Sequence, residues 1–91
     1  MALYLVERHL PGITGDQLKA AAQSAKDTSS QMRAEGVQIR YLRSTFLPVE
    51  EKCFCLFDAP ASNIVEQANQ RANLPFERVH DAAHIASEDL A

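Results

Sequence analysis

Glycine is scarce in this 91-residue chain: Gly12, Gly15 and Gly36 are the only three. None precedes the Lys-Ser or Lys-Thr pair of a phosphate-cradling loop, and there is no His-Glu-x-x-His pair. A Gly-x-Ser-x-Gly nucleophile elbow is also missing. Lys and Arg are not clustered and the net charge is −3, so a nucleic-acid partner lacks its electrostatic footprint. No apolar run approaches the ~20 residues needed to span a bilayer, which excludes a membrane-spanning helix. Cysteine is limited to Cys53 and Cys55. On a strand this i, i+2 pair shares one face, with Cα atoms near the ~7 Å limit for a disulfide. Two reduced thiols fit better than a disulfide-stapled secreted fold. The opening Met1-Ala2-Leu3-Tyr4-Leu5-Val6-Glu7 carries neither a basic leader nor a cleavage site, so the expected location is cytoplasmic.

What remains is an ordinary globular composition, 46 % hydrophobic and 23 % charged, of a length that makes one domain over residues 1–91. Leu3 to His9 reads as a strand that breaks at Leu10-Pro11-Gly12. Thr14-Gly15-Asp16-Gln17 is a capping box that opens a helix. Leu18, Ala21, Ala22, Ala25 and Met32 give that helix one small-residue face, and Gly36 supplies the left-handed residue that ends it. Val37 to Leu47 is expected to be a second strand, with Val37, Ile39 and Tyr41 on one side and Leu42 and Phe46 on the other. Pro48 to Glu51 is a hairpin turn. Lys52 to Phe57, apolar on both sides, is a strand for the middle of a sheet. Ile64, Val65, Ala68 and Ala72 mark a second helix capped by Asn73, and Phe76 to Ile85 a fourth strand. Residues 86–91 read as a frayed tail.

The order β-α-β-β-α-β predicts an α+β, ferredoxin-like fold: a four-stranded antiparallel sheet, first and third strands central, with both helices on one face. One layer of helices leaves the other apolar face open, and such a face usually marks a partner or ligand. A homodimer about a two-fold axis is therefore expected.

The blocks Leu5-Val6-Glu7-Arg8, Leu10-Pro11-Gly12, Tyr41 to Phe46, Cys53 to Pro60 and Ala72 to Pro75 resemble, in order and over nearly the whole chain, a bacterial family of small uncharacterised ferredoxin-like domains. Its best-described branch is nickel-binding. The resemblance implies the fold, and a divalent transition metal such as nickel as cofactor. That branch is His-rich in both helices. The corresponding stretches here, Ala25 to Ser29 and Gln67 to Asn73, hold no histidine, so the ligand set does not carry over.

Candidate chemistry falls on few residues. His9 ends the first strand and His80 begins the fourth, so in neighbouring antiparallel strands the two are expected to approach, with Asp81 as a third donor. His84 lies ~13 Å along the strand from His80, too far to share an ion. Surface histidines are the more ordinary reading, because a structural metal needs three or four ligands. Cys53 and Cys55 read first as small buried hydrophobes. A reactive thiolate at Cys55 would need a nearby cation, which Arg8, Arg40 or Arg43 could supply. Of Glu7 and Arg8, one must face each side of the sheet. Arg43, Ser44 and Thr45 form a polar patch that suits a small anionic ligand, with Arg as its bidentate partner.

The expected function is a dimeric binding protein for a small molecule or a metal ion, with Glu7, Arg8, Arg43, Ser44, Cys55 and His80 as ligand-binding candidates. The alternative is a small dimeric α+β-barrel enzyme of isomerase, cyclase or monooxygenase type. It would hold a hydrophobic substrate over the open sheet face, with Glu7 or His80 as the acid–base group.

Overall fold

The computed structural model describes residues 1–91 and has the elements β1 (Ala2–His9), α1 (Gly15–Ala34), β2 (Arg40–Leu47), β3 (Lys52–Ala59), α2 (Ser62–Arg71) and β4 (Arg78–Ala82). A single 3-10 turn at Ser87–Asp89 follows. The four strands form one antiparallel sheet in the order β2-β3-β1-β4, the ferredoxin-like arrangement with β1 and β3 central. No helix is long and apolar enough to cross a membrane.

The helix ends follow from local chemistry. The Thr14 side chain accepts from the Gln17 amide at 3.1 Å, and the Gln17 side chain accepts from the Thr14 amide at 3.0 Å, which satisfies two otherwise orphaned donors of α1. At the other end Gly36 takes φ +93°, and Val37 N–H donates to the Met32 carbonyl at 2.9 Å, closing a Schellman turn. The same turn ends α2, where Asn73 adopts φ +59° and Leu74 N–H donates to the Asn69 carbonyl at 3.0 Å.

The core lies between the helices and one sheet face. Val6, Cys53, Cys55, Phe57 and Ala59 meet Ala25, Met32, Val65 and Ala68 there. The Ala-rich face of α1 also buries Thr28 and Ser29. The Ser29 hydroxyl donates to the Ala25 carbonyl at 2.9 Å, so its burial leaves no unpartnered oxygen.

The readings of β2 and β4 change. Val37 to Ile39 stay outside β2, which begins at Arg40, although Ile39 is 1 % exposed and belongs to the core. Between Tyr41, opposite Phe57, and Arg43, opposite Leu56, the register shifts and leaves Leu42 as the extra residue of a bulge. One inserted residue reverses the parity of all that follows. Phe46 therefore pairs with Cys53 and packs against the core on the same side as Tyr41, not opposite it. β4 is shorter than the expected Phe76 to Ile85.

Phe57 is 1 % exposed at the centre of this core, whereas Val49 in the hairpin turn is 90 % exposed. Phe57→Ala is expected to cost about 3–5 kcal/mol and Val49→Thr less than about 0.5 kcal/mol. Urea unfolding of the two variants checks this, and equal midpoints would contradict the placement of the core.

Candidate functional site

β1 alternates, and its pairing with β3 and β4 fixes which residues share a face. Tyr4, Val6 and Arg8 stand opposite Phe57, Cys55 and Cys53 beneath the helices. Leu3, Leu5 and Glu7 point to the other side with Leu56 and Phe54 of β3 and with His80, the partner of Leu5 on β4. The same parity on β2 sends Arg43 to the open side and Ser44, opposite Cys55, to the helix side. The candidate residues therefore form two clusters rather than one. Arg8 and Cys55 are buried under the helices with half-buried Ser44 beside them, and Glu7, Arg43 and His80 lie on the open face. The expected Arg43-Ser44-Thr45 patch is split by the sheet itself.

Under the helices, Arg8 is 2 % exposed. A buried guanidinium is costly unless its donors are satisfied. Here Nη2 donates to the Asn69 side chain, Nη1 to the Pro75 carbonyl at 3.2 Å and Nε to Cys55 Sγ at 3.4 Å. Asn69 is itself fixed by donating to the Val65 carbonyl at 2.7 Å. Cys55 Sγ also lies 3.0 Å from the Ser44 hydroxyl, which in turn is 2.6 Å from the Tyr41 hydroxyl. Cys53 Sγ is 3.7 Å from Cys55 Sγ, and both thiols are free. The hydrogen bond from Cys53 pulls the Cys55 thiol below its ordinary 9.0, with Arg8 and Ser44 adding to the effect against burial. Cys53 moves up, because it carries the shared proton and is desolvated.

On the open face, Glu7 accepts from Lys52 Nζ at 2.9 Å and from His80 Nε2 at 2.8 Å. A carboxylate only accepts, so His80 carries its proton on Nε2. The hydrogen bonds from Lys52 and His80 hold Glu7 at a pKa of about 2, against an ordinary value of 4.5. Beside this cluster a cavity of about 210 Å³ lies over the sheet, floored by Leu5, Phe54 and Leu56 and rimmed by Arg43, Ala83 and His84. Arg43 Nη2 meets His84 Nδ1 at 2.9 Å, so the chain beyond β4 closes one side of the cavity. Leu56 is only 7 % exposed despite facing outward.

The expected approach of His9 and His80 does not occur. His80 stands opposite Leu5, four strand positions from His9, or about 13 Å at ~3.3 Å per residue. β1 runs past the start of β4, so its last residue has no partner there. Sequence reasoning did not single out Asn69 or Lys52, and it read His84 only for metal spacing. Asn69 carried a signal: it follows Ala68 on the apolar face of α2, where a polar side chain needs a partner.

A family model described as "Nickel responsive protein SCO4226-like" matches residues 4–81. The crystal structure of SCO4226 from Streptomyces coelicolor A3(2) has the same fold, with a TM-score of 0.75 and 21 % sequence identity over 93 % of this chain and 100 % of that one. No curated protein matches the chain. The residues of a single chain do not compose a nickel site. No three His, Cys, Asp or Glu side chains gather where they could hold an ion, and both Glu7 oxygens are occupied by Lys52 and His80.

Because folding lowers the Glu7 pKa, its contribution to stability is present above pH 4.5 and is lost as pH falls toward about 2. Urea midpoints measured across that window are expected to fall more steeply for the wild type than for Glu7→Gln. Parallel curves would show that Lys52 and His80 do not hold the carboxylate.

Proposed function

We propose that this chain, which belongs to the SCO4226-like nickel responsive protein family, is a small binding protein that takes a compact amphipathic carboxylate against the open face of its sheet and works as a two-fold dimer. The observation that carries this reading is the cavity of about 210 Å³ with an apolar floor and the Arg43 guanidinium on its rim. An apolar pocket with a few convergent polar groups is the usual form of a small-molecule site. Arg43 is tied to His84 through one nitrogen and has no carboxylate partner in the chain, so its remaining donors suit a bidentate anion. Exposed Leu42, Leu47 and Ile85, at 43 %, 38 % and 70 %, support burial against a second copy.

Binding is favoured over turnover. A general base works best with a pKa near the operating pH, and Glu7, at about 2, is held far below it by Lys52 and His80.

Thermal unfolding with benzoate, hexanoate and nickel sulfate in separate titrations tests the ligand, and sedimentation velocity of the same samples tests the dimer. A carboxylate at 100-fold its Kd is expected to stabilise the fold by about 2.7 kcal/mol, which is roughly 10–20 °C for a domain of this size. Arg43→Ala should abolish the shift. A response to nickel alone, unchanged in Arg43→Ala, would sink the carboxylate reading, and a single 10.1 kDa species at all concentrations would sink the dimer.

A further inference from the structure

The buried cysteine pair is not used by the open-face site, and it has a geometry of its own. Cys53 and Cys55 project from one strand to the same side with Sγ atoms 3.7 Å apart. At a metal–sulfur bond of about 2.3 Å the near-linear S–metal–S unit of a two-coordinate ion spans about 4.6 Å, so side-chain rotation has to open the pair by roughly 1 Å, which two side chains on one face of a strand can do without moving the backbone. A small cavity of about 10 Å³ is lined by Cys53, Cys55, Arg8 and Ser44 among others, room for about one water-sized particle. It exists because the facing residues of α1 are Ala21 and Ala22, and it runs out past half-buried Leu10 and Leu18.

We infer that Cys53 and Cys55 form a binding site for a single soft monovalent metal ion, Cu(I) in chemical class, with Arg8 as its built-in counter-charge. Two thiolates satisfy a soft monovalent ion, while zinc or nickel requires further ligands. No other His, Cys, Asp or Glu is placed to supply them. Charge makes the same selection. Two thiolates and the Arg8 guanidinium sum to −1, so a singly charged ion brings the buried site to zero and a doubly charged ion leaves a net charge of +1. An uncompensated buried charge is strongly unfavourable. Each thiol that is protonated releases its proton to solvent as the ion enters, so metal replaces hydrogen on sulfur and nothing is oxidised or reduced. Ser44, 3.0 Å from Cys55 Sγ, then orients that sulfur from outside the metal–sulfur bonds.

The test is an anaerobic titration of the full chain with Cu(I) in competition with bicinchoninate, read by the ultraviolet thiolate-to-copper absorption and by protection of the thiols from alkylation. One copper per chain and protection of both cysteines in the wild type are expected. Cys53→Ser and Cys55→Ser should each lose the ion, and Ser44→Ala should hold it about 10–100-fold less tightly. Failure of the wild type to compete for copper, or copper retained by the double cysteine variant, would overturn the site. Equal protection of the thiols by nickel or zinc would overturn the charge selection. The alkylation readout needs only wild-type protein, so it decides the matter even if a variant does not fold.

Discussion

A single buried guanidinium organises the helix side of this fold. Arg8 lies on a central strand, and β-strand alternation turns it toward the helices because Glu7 faces the other way. A charge in that position must be fully partnered or the fold loses several kcal/mol. Its partners come from every part of the surroundings: Asn69 from α2, the Pro75 carbonyl from the turn before β4, and Cys55 from β3. No buried side-chain nitrogen or oxygen is left without a hydrogen bond. Arg8 thereby fixes how α2 sits on the sheet, and it places positive charge beside one sulfur of the cysteine pair.

The opposite face of the same strand carries different chemistry. Glu7 is paired across both neighbouring strands, with Lys52 on β3 and His80 on β4. These hydrogen bonds hold one end of the open face, while the Arg43–His84 contact closes the other over an apolar floor. The sheet is thus a partition. A buried cationic-thiol cluster lies beneath it and a solvent-reaching cavity lies above, separated by the thickness of one backbone. Membership of a nickel responsive family sits beside the finding that one chain gathers no three donors that could hold an ion.

Much of this was legible in the sequence, and the parts that were not have identifiable causes. The capping box at Thr14 and Gln17, the left-handed residues Gly36 and Asn73 and the apolar run of β3 are local signals, and each appears where expected. The split of Glu7 and Arg8 between faces was legible as a necessity but not in its sense, since period-2 alternation does not say which side is inside. The bulge at Leu42 was illegible because a single extra residue leaves composition unchanged while reversing the faces of Ser44 and Phe46. The Arg43–His84 contact joins residues 41 apart, and the His9–His80 expectation failed by a register offset; neither quantity is carried by local pattern. Asn69 was the readable omission, a polar residue on an apolar helix face.

The cluster organised by Arg8 draws the Cys55 thiol below its ordinary 9.0, through the hydrogen bond from Cys53 first and the Arg8 guanidinium second, and a pH titration of thiolate ultraviolet absorption on the reduced protein tests this most directly. One thiolate per chain, titrating well below the ordinary 9.0 and moving upward in Arg8→Met, is the predicted result. Two thiols that both titrate at or above 9.0 in the wild type would contradict it.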